Sequence, residues 1–141
     1  MKTQQELKPE KALAILEKSE DGYWASVEKL PGCYSFGENI EAALGNVRKA
    51  IAEHISDLAE TGVEVPELFL QPFELQIKYD LQTLFEAFKF INKSAFAQLA
   101  GINPSLLRQY TKGIAYASDK QKAKINKAIQ SISHNLENAC L

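Results

Sequence analysis

Residues 95 to 113 read AFAQLAGINPSLLRQYTKG, and Gly101 at the middle of them decides the second half of the fold. Phe96, Leu99 and Ala100 precede it at helical spacing, so Gly101 falls just past a helix end, where positive φ is cheapest. Asn103 then offers an N-cap side chain and Pro104 a preset φ for a first helical position, which starts a new helix at once. The stretch predicts a tight helix-turn-helix. Ala97 at the crossing, Gly101 in the turn, and Leu107 and Tyr110 facing inward supply the small and apolar side chains that such close packing demands. Asn103, Ser105, Arg108, Gln109 and Lys112 remain as the outward set. Arginine can pair with both acceptors of guanine, glutamine with adenine, and serine with base or phosphate. Lys93, opening the first helix, and Lys112, closing the second, are placed for phosphates. The competing reading is a helical bundle with a solvated polar face. The agreement of Ala97, Gly101, Leu107 and a basic outward face favours DNA.

Around this motif the spacing predicts a helical domain. Asp80 reads as an N-cap for Leu81, Leu84, Phe85 and Phe88, which recur at helical intervals. After the linker from Gly113 to Ala117, Ser118 and Gln121 have capping-box spacing, and Ile125, Ile129, Ile132 and Leu136 form an apolar stripe. That stripe either closes the domain or pairs with a second chain. A homodimer is expected, because helix-turn-helix proteins generally read two half-sites one DNA turn apart. Lys120, Lys122, Lys124 and Lys127 read as a solvated face in preference to a second DNA-reading element, with Lys120, near the helix N-terminus, the one within reach of phosphate.

The first half predicts a small α+β unit. KALAILEK (11–18) and YWASVEKL (23–30) are strand candidates joined by the turn residues SEDG, and they form a hairpin. CYSF (33–36) reads as a third strand. Asn39 caps a helix whose stripe is Ile40, Leu44, Val47, Ile51, Ile55 and Leu58. Thr61 and Gly62 end it, Pro66 prevents its resumption, and FELQIKY (73–79) alternates as a fourth strand, giving the order βββαβ. Gly45 interrupts the helix at a cost of about 1 kcal/mol relative to Ala, with no reason visible in the sequence. In YWASVEKL, Tyr23, Ala25 and Val27 share one face and Trp24, Ser26 and Glu28 the other. Trp24 then lies on the uncovered face of the sheet, as an interface anchor. A register slip of one residue would instead bury it.

Composition limits the functions available. The chain has 141 residues, 45% of them hydrophobic, and a formal charge of −2. Residues 1–79 carry eight basic and fourteen acidic side chains, and residues 80–141 carry eight basic and four acidic ones. The balance is therefore −6 in the first half and +4 in the second, which suits a cationic partner for one and a polyanion for the other. No apolar run approaches a membrane span, and MKTQQELKPEK lacks the apolar stretch of a leader, so a cytoplasmic location is expected. Cys33 and Cys140 have no companions at metal-ligand spacing, and neither zinc, other cofactor nor disulfide is expected. His54 and His134 lack a catalytic constellation, and Glu17, Glu28 and Glu74 form no acidic motif for metal-dependent hydrolysis.

Residues 93 to 112 resemble the helix-turn-helix of lambda-repressor-like regulators. The run DGYWASVEKLPGCYSFGENIEAALGNVRKAI (21–51) resembles the N-terminal domain of HicB antitoxins in its D-G-Y-x-A-x-V-x-x-L-P-G-C, its G-E-x-I-E-x-A and its V-x-x-A-I. The resemblance implies a partial RNase-H-like domain over residues 1–79 that binds and blocks HicA, a small basic ribonuclease. It also implies a helix-turn-helix domain for DNA binding and dimerisation over residues 80–141, which represses the operon. Trp24, Glu28, Asp21 and Glu38 are the residues assigned to the toxin, and the mechanism is binding, not catalysis. The rival reading is a free-standing transcriptional regulator whose α+β domain senses a small ligand. A nuclease with an accessory DNA-binding domain is a third reading, opposed by the missing carboxylate cluster.

Overall fold

The computed structural model describes residues 9–141, so most of the N-terminal stretch considered as a leader lies outside the described residues. The chain divides into two compact units, residues 1–80 and 81–141. The first contains strands β1 (Glu10–Lys18), β2 (Tyr23–Val27), β3 (Tyr34–Gly37) and β4 (Phe73–Lys78), with helix α1 (Ile40–Glu60) between β3 and β4. The sheet order is β3-β2-β1-β4. Short turns make the first three strands antiparallel, whereas β4 returns through a helical crossover and pairs parallel with β1. The Ser19 amide and hydroxyl both donate to the Gly22 carbonyl, at 2.8 and 3.1 Å, closing the first hairpin.

Helix α1 starts where Asn39 accepts a 2.8 Å bond from the Ala42 amide. It buries Ala43, Val47 and Ile51 against Ala12, Leu16, Ala25 and Val27 of the sheet, flanked by Ile40, Leu44, Ile55 and Leu58. The helical stripe has the expected phase, with Ala43 as an additional fully buried position. There the helix comes down on the end of β3, and a Cβ on Gly37 would collide with the Ala43 amide nitrogen. A Cβ on Gly22 would in turn collide with the Gly37 carbonyl and lie 2.8 Å from Phe36 Cζ. Gly22, Gly37 and Ala43 thus stack hairpin turn, strand and helix at backbone contact.

The strand boundaries lie within one residue of expectation except at the end of β2, and β3 is shifted by one residue. The second strand ends at Val27, not Leu30, because Lys29 and Gly32 take positive φ of 66° and 84° and curl the chain inward. The third accordingly begins at Tyr34, and Cys33 lies in the preceding turn with its amide donating to the Leu30 carbonyl at 3.1 Å. Leu30 and Cys33 are core residues. After α1, Pro66 leads into a 3-10 turn, Glu67–Leu70, which the sequence pattern does not announce; it buries Phe69 edge-on to Phe73 at 5.3 Å.

The second unit contains α2 (Leu81–Ala87), α3 (Lys93–Ala100), α4 (Pro104–Thr111) and α5 (Asp119–Glu137). Its core is Phe85, Phe96, Ala97, Ile102, Leu107, Tyr110, Ile125 and Ala128. Phe85 and Phe96 meet edge-to-face at 5.3 Å. Asn92 caps α3 through a 2.9 Å bond from the Ala95 amide. Gly101 has the expected left-handed conformation, φ 72°, and the Ile102 amide reaches the Ala97 carbonyl at 2.9 Å. Leu99, placed on the apolar face by its spacing, is instead 54% exposed. The capping box of α5 forms on one side only: Ser118 accepts from the Gln121 amide at 3.2 Å, while buried Gln121 Oε1 has no partner among the described residues. Of the final stripe, Ile125 is buried, Ile129 and Ile132 are partly buried, and Leu136 is 64% exposed.

Candidate protein and nucleic-acid interfaces

In β2, Ala25 and Val27 are buried and Trp24 is 45% exposed, so the register with Trp24 outward is the one the chain adopts. Its cross-strand neighbours are Glu17 on β1 and Phe36 on β3. The indole lies 5.2 Å from the Phe36 ring and 5.9 Å from Tyr34, tilted by 56° and 58°. Tyr34 is itself 62% exposed. Neither ring was among the expected partner-binding residues, although Tyr34 and Phe36 follow the same two-residue alternation that places Trp24 outward. A shallow cleft beside this cluster is lined by Ser19, Glu20, Asp21, Trp24 and Phe36. Trp24 and Asp21 therefore share one feature. Exposed Glu28 lies just past the end of β2 and exposed Glu38 just past β3, and neither lines the cleft.

On the second unit, Ser105, Arg108, Gln109 and Lys112 are exposed along α4, with Lys93 exposed at the start of α3. The Arg108 guanidinium donates to Ser94 Oγ and Ser105 Oγ, both at 3.4 Å, and bridges α3 to α4. Ser94 was not among the expected residues, although it sits one position from Lys93. Asn103 acts first as a cap, its carboxamide oxygen accepting from the Ser105 and Leu106 amides at 2.8 and 3.4 Å, which leaves the amide group for other contacts. Lys124, expected on a solvated face, has its ammonium 3.5 Å from the Gly101 carbonyl and supports the turn. The row combines a bidentate-capable guanidinium, a carboxamide, hydroxyls and ammonium groups, chemistry able to bond base edges and phosphates.

Elsewhere the chemistry is sparse. Among the described residues no group of three or more His, Cys, Asp or Glu side chains is arranged to hold a metal ion, and no helix is long and apolar enough to cross a membrane. Both cysteines are free; burial pushes the Cys33 thiol up from its ordinary value, and Cys140 is exposed.

Comparison with known proteins bears on the first unit. A family model described as HicB-like antitoxin of bacterial toxin-antitoxin systems matches residues 12–80. An uncharacterised 14.9 kDa protein of the rep-hol intergenic region of Haemophilus phage HP1 is 40% identical over 52 residues, 37% of this chain and 39% of that protein. A UPF0150 protein of Helicobacter pylori is 47% identical over 45 residues, 32% of this chain and 62% of the relative. A UPF0150 protein of Thermoplasma acidophilum is 37% identical over 57 residues, 40% of this chain and 83% of the relative. The chain thus spans under two thirds of the first two of these relatives.

Proposed function

We infer that this chain, which belongs to the HicB-like antitoxin family, acts by binding: it neutralises a toxin through its first unit and represses its own operon through its second. The observation that carries the reading is the outward sheet face, where a half-exposed tryptophan, two neighbouring rings and the carboxylates of Glu20 and Asp21 lie together. Exposed aromatic clusters of this kind anchor protein interfaces, because a large rigid ring is desolvated at small entropic cost. The acidic balance of that half suits a small basic protein, and a HicA-like ribonuclease is the partner proposed. No catalytic step is assigned to the chain.

For the second unit, the reading rests on the exposed row Ser105, Arg108, Gln109 and Lys112 and on the tight turn that holds α3 against α4. Two copies docked on a palindromic operator would place these rows in successive major grooves. The exposed C-terminal end of the α5 stripe, at Leu136, is the surface proposed for that pairing.

The test is co-expression. Cells expressing the small reading frame beside this gene should arrest and cleave RNA, and this chain should restore growth. Toxicity that this chain does not relieve would favour the free-standing regulator with a ligand-sensing first unit.

A further inference from the structure

The cleft beside Trp24 has a composition that selects its occupant. One wall is the indole, which packs against Phe36 and Tyr34 of β3 at ring distances of 5.2 and 5.9 Å. The other is the turn carrying Glu20 and Asp21, both exposed. Glu17 faces Trp24 across the β1–β2 pair. Among the described residues, no lysine or arginine lines the cleft. Ser19 is committed to the Gly22 carbonyl, so its hydroxyl braces the turn.

We propose that this cleft receives an arginine side chain of the toxin, the guanidinium stacked on Trp24 and paired with Glu20 and Asp21. The proposal rests on the reading of the open face as the toxin-binding surface and names the group that surface takes. A planar guanidinium fits both walls: it stacks on an aromatic face and its fork of donors matches carboxylates. An aliphatic anchor would strip water from two carboxylates and give them no partner. A nucleic acid could stack a base on Trp24, but its phosphates would meet a unit whose balance is −6. The rings are already packed on one another, so binding immobilises few groups of this chain.

Trp24 is the only tryptophan, so it reports occupancy directly. The full chain is titrated with a hexa-arginine peptide, and with hexa-glutamate as control, following indole fluorescence and the indole N–H resonance. The expected result is a saturable, salt-sensitive shift with hexa-arginine alone. A Glu20→Gln/Asp21→Asn double variant, altered only at exposed turn positions, should melt at the parent temperature and bind about tenfold more weakly. No saturable shift, or equal affinity in the double variant, would overturn the proposal. Neutralisation in co-expressing cells separates it from its premise. If Trp24→Ala abolishes neutralisation while hexa-arginine does not bind, the cleft is wrong and the open face stands. If Trp24→Ala neutralises as well as the parent, the open-face reading falls and the proposal with it.

Discussion

Gly37 has no room for a methyl group, and Gly45 has nothing but room. At Gly37 an added Cβ would meet the backbone of α1, which cannot step aside without lifting the helix from the sheet. Gly37→Ala should therefore lose about 3 kcal/mol, measured as a lowered urea midpoint for the first unit. At Gly45, exposed in mid-helix, the added carbon would meet no described atom within 4 Å beyond its own helix backbone and chain neighbours. Gly45→Ala should gain about 1 kcal/mol and raise the melting temperature by about 5 °C. The two glycines look alike in the sequence, because the close approach at Gly37 depends on how far a helix descends onto a strand end. Gly101 is different: its positive φ is legible, since the apolar spacing before it and the Asn-Pro after it leave only a turn between two helices. Lys29, also at positive φ, carries no comparable signal, and that is why β2 reads three residues too long in the sequence.

Among the elements, β2 and α4 carry the proposed interfaces. Trp24→Ala should weaken the toxin complex by about 2 kcal/mol or more in a calorimetric titration, while the melting temperature stays close to the parent's. The ring packs against Tyr34 and Phe36 on the open face and takes no part in the core against α1. On α4, Arg108→Ala should cost about 1–3 kcal/mol of operator affinity in gel-shift titrations and relax one base preference. Lys93→Ala should weaken binding to all sequences and reduce the salt slope by about 1. Unchanged operator binding by Arg108→Ala would remove α4 from the groove. Alternation along YWASV is enough to place Trp24 outward, but its partnership with Tyr34 and Phe36 depends on the β2–β3 register, which a turn with two positive-φ residues sets. Helical spacing likewise places Leu107 and Tyr110 inward, yet misplaces Leu99, because a helix of eight residues has too few turns for its spacing to define the buried face closely.

For the molecule as a whole, the two units differ in charge, and burial displaces the pKa of two groups in the first. Burial raises the Cys33 thiol above its ordinary 9.0 and the Tyr79 phenol above its ordinary 10.0. Both groups are neutral at lower pH in either state, so they leave stability flat there. As pH rises past about 9, the unfolded chain sheds these protons first, and stability falls until the folded groups ionise too. Denaturant melts of the first unit should therefore be level from pH 7 to about 8.5 and decline above it, a trend that Cys33→Ala or Tyr79→Phe would lessen. The division into an acidic sheet unit and a basic helical unit is readable from composition, whereas the 3-10 turn that seats Phe69 is not, being four residues without a repeat.

The pairing of β4 with β1 also sets the order in which the first unit is completed. β1 is an inner strand of the sheet, but its second neighbour is supplied about 60 residues later, after α1 and the 3-10 turn. During synthesis β1, β2 and β3 emerge with one long edge of β1 bare, and bare edges invite pairing with other chains. Closing it spends loop entropy before any ladder bond forms, which makes this long-range parallel pairing a slow one to establish. A nascent or proteolytically clipped chain lacking residues beyond Pro66 would retain the hairpin, the helix and Trp24, yet carry an open edge in place of a finished sheet. In a nascent chain that edge stays available to other strands until Phe73 to Lys78 have been added.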